Sequence, residues 1–264
     1  MKGAKIMEEN KKQKGNKGLQ KTFFYLFLIL FVLGLVALIY IVINSYLPQR
    51  QNVVSGSSAT STQSEAPLPE NPIDFATLKA TNSDVYAWIR IPGTVIDYPV
   101  LQATDQDDDF YLNHDLDKKY KFAGSIYSEK KNSKDFSDRN TVLYGHNMLN
   151  GTMFQNLHKF RNADFFEENQ YIYIYTPGHI LTYKIIAAYK YDSRHLLNTF
   201  DYSDNTVFKD YLDYIKNPSS MMVNKREAEL DLNSKILTLS TCIGDEKDYR
   251  YLVQGVLIKD EPTK

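Results

Sequence analysis

The chain has 264 residues, with 31 Lys and Arg against 32 Asp and Glu for a formal net charge of −1, so no basic surface marks it as a nucleic-acid binder. With 43% of its residues hydrophobic and 13% aromatic it can bury a sizeable core, which excludes a disordered chain. Its one cysteine, Cys242, excludes an internal disulfide and any metal site built from several thiolates, and no cofactor or metal is expected.

Residues 1–22 read as a cytoplasmic basic tail, with Lys2, Lys5, Lys11, Lys12, Lys14, Lys17 and Lys21 against Glu8 and Glu9. Residues 23–43, FFYLFLILFVLGLVALIYIVI, carry no charge and are long enough, at about 1.5 Å per residue, to cross a hydrocarbon core of about 30 Å. One transmembrane helix is expected there, and the lysines before it put the N-terminus in the cytoplasm and the rest of the chain outside the cell membrane. A cleaved signal peptide would have a shorter apolar stretch and a small-residue cleavage site, which NSYLPQR does not supply. Residues 44–72 are rich in Ser, Thr, Gln and Pro and read as a flexible extracellular linker, leaving a folded domain over residues 73–264.

In that domain Phe75, Leu78, Val85 and Trp88 recur at near-helical spacing, which predicts one or two short helices over residues 73–88. Apolar or alternating runs bounded by turn residues then predict strands at 87–91, 94–100, 124–127, 141–144, 171–175, 180–191, 236–241 and 249–258. Many short strands with turns between them favour a closed or nearly closed barrel, a mainly β fold, over a doubly wound sheet. Residues 201–216 interrupt the strands with acidic residues at the start, Val207, Tyr211, Leu212 and Ile215 on one face and Pro218 just beyond, the pattern of an inserted amphipathic helix. The acidic run at Asp105, Asp107, Asp108 and Asp109 reads as a solvated loop.

The run from Lys235 to Cys242 is an apolar strand ending at the thiol, and the polar stretch 243–248 turns the chain into the strand that holds Arg250. Antiparallel neighbours joined by a short loop bring Arg250 to the same mouth as Cys242, and alternation puts Ser240 on the Cys242 face. A lone Cys is most often a small buried hydrophobe, but a thiol with a reference pKa near 8.5 becomes a nucleophile beside a base and a positive charge. His146, which follows a strand through Gly145, fits the first need. Arg250, a permanently charged fork of donors, fits the second, at a developing oxyanion. His114, His158, His179 and His195 lack a comparable partner pattern and read as ordinary surface or half-buried residues, with a place for His114 in the cleft lining as the alternative.

TLSTC (238–242) followed by Arg250, YGHNM (144–148) and the downstream Met153-Phe154 resemble the signature of the sortases, specifically class B. WIRIPGTVIDYPVLQ (88–102), YLNHD (111–115), AGSIY (123–127) and FSDRNTVLYGHNM (136–148) extend the resemblance over almost all of the domain. It implies an eight-stranded sortase β-barrel with N-terminal helices and an inserted helix before the Cys-bearing strand. It further implies Cys242 as nucleophile, His146 as general acid and base, and Arg250 as the family arginine, with Ser240, Thr241 and Asn147 as supporting or substrate-binding residues. Thr241 would lie beside the bound peptide, and Ser240 would orient a catalytic group. The implied activity is cleavage of a sorting signal near the C-terminus of a secreted protein through a thioacyl intermediate, which an amine of the peptidoglycan precursor, or a pilin lysine, resolves. Two rivals remain at this point. A wall-lytic cysteine peptidase would set its Cys at the start of a helix and before its His in the chain, whereas an anchored surface binding module would bury an inert thiol.

Overall fold

The computed structural model describes residues 68–264 except Asp245, together with Phe31 and Gly34. The expected basic tail, the bulk of the span at 23–43 and nearly all of the linker lie outside the described residues. Among those described, no helix is long and apolar enough to cross a membrane.

The first helix, α1 (Phe75–Thr81), starts where the Asp74 side chain accepts the Thr77 amide proton at 3.0 Å, covering one of the donors that a helix start leaves unpaired. It ends at Asn82, whose backbone is extended and whose side-chain oxygen accepts the Asp84 N–H. Val85 and Trp88 therefore do not continue the helix. They belong to β1 (Val85–Arg90), where Val85, Ala87 and Ile89 are all fully buried at the two-residue period of a strand. The remaining strands are β2 (Asp97–Leu101), β3 (Ile126–Tyr127), β4 (Asn140–Tyr144), β5 (Tyr171–Thr176), β6 (His179–Asp192), β7 (Val223–Lys225), β8 (Ile236–Ile243) and β9 (Glu246–Pro262).

The strands follow the order β5-β1-β2-β3-β4-β8-β9-β6-β7, and β5 also pairs with β6. Eight strands thus close into a barrel, as expected, and the unforeseen β7 continues along β6 at Ala187–Tyr189, past the stretch His179–Lys184 that β5 occupies. β2–β3 and β4–β8 are the parallel pairs, and the other ladders are antiparallel. β6 and β9 can follow the curved wall over their full length because their ladder shifts register between Thr182 and Tyr183 and between Ile185 and Ala187.

The barrel interior is filled by Ile89, Val100, Leu143, Phe154, Ile174, Leu239 and Val253. A second core lies against the outer face of β6, β8 and β9, under α4 (Asn205–Lys216), with the short α3 (Leu196–Thr199) contributing Leu196 and Leu197. α2 (Ala163–Glu168) follows a 3-10 segment at Phe154–Arg161. Asp204 caps α4 through the amides of Thr206 and Val207, and the buried stripe is Phe208, Tyr211, Leu212 and Ile215. Phe208 thus takes the place expected for Val207, and the helix begins a turn later than its sequence pattern suggests. The Tyr211 hydroxyl accepts from Gln254 Nε2 at 2.8 Å, which also donates to Thr238 Oγ1 at 2.9 Å, and Thr238 donates to Asn140 Oδ1 at 2.8 Å. This buried chain of hydrogen bonds fixes α4 to β9, β8 and β4, the three strands that end at the candidate site.

Two residues of the segment read as linker are tied down. Pro69 and Asn71 bond through their backbones to Lys264, and the Asn71 side chain donates to the Thr176 carbonyl.

Candidate active site

Cys242 stands near the end of β8, and its register partner across the antiparallel ladder is Arg250 of β9. Directly opposed residues on such strands project to one face with Cβ atoms about 4.5–5.5 Å apart, so the two side chains leave the sheet on the same side. On the other edge of β8, β4 runs parallel with Tyr144 beside Ser240. The register continues past the strand end: the Gly145 N–H donates to the Ser240 carbonyl at 3.2 Å, and Thr241 Oγ1 donates to the Gly145 carbonyl at 2.8 Å. His146, the next residue, therefore arrives alongside Cys242. All three line one cavity of about 280 Å³ on the outer face of the barrel.

Local sequence explains each placement. A Cβ at Gly145 would lie 2.6 Å from Ile126 Cδ1 and 2.8 Å from the Phe154 ring, so only glycine lets the chain leave β4 at this angle. The His146 carbonyl then accepts the Phe154 N–H at 3.0 Å. Beyond Cys242 the β8–β9 ladder shifts register, with Ile243 opposite Glu246. The turn is accordingly tighter than a loop over 243–248, and residues 247–249 form a bulge in β9. Arg250 Nη1 donates to the carbonyls of Lys247 at 3.0 Å and Tyr249 at 2.9 Å, so the bulge itself aims the guanidinium. Among the described residues it has no carboxylate partner, leaving its charge available to the cavity.

Cys242 is exposed. Burial holds the half-buried His146 imidazole below the usual histidine range, with the Leu112 carbonyl pulling the other way. The exposed ring of Phe122 stacks on it, centroids 5.4 Å apart and planes 18° from parallel. A thiol beside a fixed positive charge and a largely neutral imidazole is a set able to attack a carbonyl carbon, move a proton and stabilise the oxyanion that forms.

The supporting residues divide. Ser240 is buried and lines the cavity on the Cys242 side. Thr241, 2% exposed, also lines the cavity, and its hydroxyl donates to the Gly145 carbonyl and so holds the end of β4. Asn147 forms an isolated antiparallel bridge with Met153 and is not part of the cavity lining.

Two histidines read as ordinary do belong to the site. His195 lines the cavity with Nε2 2.8 Å from Glu129 Oε1, and His158 Nε2 lies 3.0 Å from the Cys242 carbonyl. His114 stacks on Phe110 outside the cavity, and His179 pairs with Asp260. The wall facing the thiol comes from Tyr127, Glu129, Tyr144, Tyr191 and Leu196. Apart from Tyr127 in AGSIY and Tyr144 in YGHNM, no local pattern marks these residues, because separate loops and strands bring them together. Among the described residues no group of His, Cys, Asp and Glu is arranged to hold a metal ion, and in the acidic run Asp108 accepts the Lys130 N–H at 3.1 Å.

The family model described as Sortase domain matches residues 89–258. Sortase B of Listeria monocytogenes is 36% identical over 186 residues, which are 69% of this chain and 72% of that protein. The crystal structure of Clostridium perfringens sortase B superposes with a TM-score of 0.63 at 36% identity, covering 70% of this chain and 99% of that one. A Staphylococcus aureus sortase B–substrate complex matches at 28% identity and a TM-score of 0.63, covering 70% of this chain and 84% of that one. Barrel, strand-end cysteine and relatives agree: the chain belongs to the sortase family of cysteine transpeptidases and stands with its class B members.

Proposed function

We propose that this protein is a single-pass membrane enzyme whose catalytic domain lies outside the cell. It cleaves a C-terminal sorting signal of secreted proteins and joins the new carboxyl end to an amine of the peptidoglycan precursor. The observation that carries the reading is the register that sets Arg250 opposite Cys242 and runs His146 alongside, all on one open cavity. The anchor rests on the uncharged stretch 23–43 and the lysines before it. The peptide substrate is supported by the solved complex of S. aureus sortase B with its substrate.

In this reading the Cys242 sulfur attacks the scissile carbonyl carbon while His146 takes the thiol proton, and Arg250 stabilises the oxyanion. Collapse expels the leaving amine, which carries away the proton from His146, and leaves a thioacyl enzyme. The acceptor amine attacks that thioester and gives its proton to His146, which returns it to the departing sulfur, so one peptide bond replaces another without net oxidation. Water competes for the same thioester, so slow hydrolysis is expected when amine is withheld. Tethering at the membrane raises the effective concentration of a lipid-linked acceptor.

The test incubates the protein with quenched fluorescent pentapeptides, with and without amine acceptors of wall-peptide and lysine type, and follows the acyl-enzyme by intact mass. A covalent adduct on Cys242 that added amine discharges is expected. Cleavage by Cys242→Ala would refute the mechanism.

A further inference from the structure

One short segment contacts the backbone of both Cys242 and His146. The 3-10 segment Phe154–Arg161 begins by donating the Phe154 N–H to the His146 carbonyl at 3.0 Å, and one turn later His158 Nε2 meets the Cys242 carbonyl at 3.0 Å. That carbonyl stands where the β8–β9 ladder shifts register, between the Cys242–Arg250 and Ile243–Glu246 pairs, so regular pairing is interrupted there. A carbonyl only accepts, so Nε2 must bear the proton and Nδ1 is the bare nitrogen. Among the described residues Nδ1 is buried without a partner. The imidazole lies against Tyr251, centroids 5.1 Å apart, and the Arg161 guanidinium covers the same tyrosine at 5.1 Å. Burial, with the Arg161 charge second, pushes His158 down to about 4, so the ring stays neutral at neutral pH.

We infer that His158 is a positioning residue: its Nε2–H fixes the Cys242 peptide, and with Phe154 it makes the 3-10 segment a brace that sets the spacing between thiol and imidazole. The inference rests on Cys242 being the nucleophile. His158 does not touch the reacting atoms. Its effect is on how well the sulfur is held for attack, and a small displacement of a reacting group is enough to slow a reaction by about tenfold to a hundredfold.

The test uses the full chain and three substitutions. A glutamine amide nitrogen can reach the position of Nε2, whereas asparagine carries the same amide one methylene short and phenylalanine keeps the ring without a donor. His158→Asn and His158→Phe are expected to lower kcat for peptide cleavage about tenfold or more with KM within about twofold, and to slow alkylation of Cys242 by iodoacetamide. His158→Gln is expected to restore both. Where His158→Phe fails to fold, the Asn and Gln pair carries the comparison. The brace is refuted by wild-type kcat in His158→Asn, or by His158→Gln being as slow as His158→Asn. Cys242→Ala run alongside separates the two claims. If it cleaves, the underlying mechanism falls, and if it is inert while His158→Asn is unimpaired, the brace alone falls.

Discussion

The two sides of the cavity are built by opposite means. On one side Cys242, Arg250 and His146 stand at the ends of three adjacent strands, and hydrogen-bond register decides where each points. On the other side, beside the strand tyrosines Tyr127 and Tyr191, Glu129 and His195 come from a loop and a helix start and bond to each other, while the loop residue Phe122, outside the cavity lining, stacks on His146. The first side tolerates no slip, because moving a strand by one residue turns every side chain to the opposite face. The second can change residue by residue without disturbing the ladder. Chemistry that needs fixed distances sits on the rigid side, and the groups that shape access and polarity sit on the side free to vary.

The largest way to test that division is to remove charge from the rigid side. Arg250→Ala is expected to lower kcat/KM by about 10²–10³, the loss typical of one oxyanion donor, while leaving the melting temperature close to wild type because among the described residues the guanidinium bonds only to carbonyls of its own bulge. Arg250→Lys should recover little, since Nη1 alone serves both carbonyls and leaves the rest of the guanidinium for the cavity, whereas an ammonium has no second nitrogen to offer. Steady-state kinetics beside a thermal melt checks both statements. A collapse in stability would mean that Arg250 holds the strand end rather than serving the cavity.

The loop side has its own anchor in Asp84, which is 1% exposed. It accepts from Thr104 at 2.6 Å and Tyr111 at 2.7 Å and pairs with Lys118 at 2.9 Å, within the loop that carries Phe122. Burial alone would raise its pKa, but the hydrogen bonds from Thr104, Tyr111 and Lys118 and the Lys118 charge outweigh it and bring the carboxyl down to about 2. Since the folded value lies below the ordinary 3.8, the stabilisation is complete above 3.8 and is lost as pH falls through about 2. Asp84→Asn is expected to cost about 2 kcal/mol at neutral pH and to flatten the acid limb of the stability curve in that window. Denaturant titrations from neutral pH downwards read this directly, and an unchanged acid limb would remove Asp84 as the anchor.

Gly145→Ala probes where the two sides meet. The added methyl would press on Ile126 and Phe154 at under 3 Å, an overpacking worth about 1–3 kcal/mol. Because His146 is the next residue, kcat should fall more than stability alone explains. A variant that is destabilised yet fully active would show that the imidazole is placed by its own contacts and not by the turn before it.

How much of this could be read in the chain follows the same division. β4, β8 and β9 show as apolar runs because β8 is buried on both faces, between the barrel core and α4, and Cys242, Arg250 and Gly145-His146 fall at their ends. Barrel closure was legible in the number and spacing of strands. The failures have local causes. Val85 and Trp88 keep helical spacing from Phe75 by coincidence, and the extended backbone of Asn82 that ends α1 leaves no mark in an apolar pattern. β7 has three residues, too few to show a period. His158 and His195 act through partners far away in sequence, Cys242 and Glu129, so neither has a neighbour that would single it out.

The smallest expected effect is a shift and not a loss. Phe122 is 66% exposed, which is costly for an aromatic ring unless its face is used, and that face lies over His146. The imidazole is held below the ordinary histidine range chiefly by burial, and Phe122 supplies part of that cover. Phe122→Ala admits water to the ring, which favours the charged form, so the His146 pKa should rise. A rate that needs the neutral base would then gain its full value at a higher pH than in the wild type, and a rate that needs the imidazolium would persist to higher pH. Either way the pH profile of kcat/KM moves in the alkaline direction with little change in its height. Phe122→Leu, which keeps apolar cover without a stacking face, separates shielding from stacking. If the leucine variant holds the wild-type profile, desolvation sets the imidazole, and if it follows the alanine variant, ring contact does.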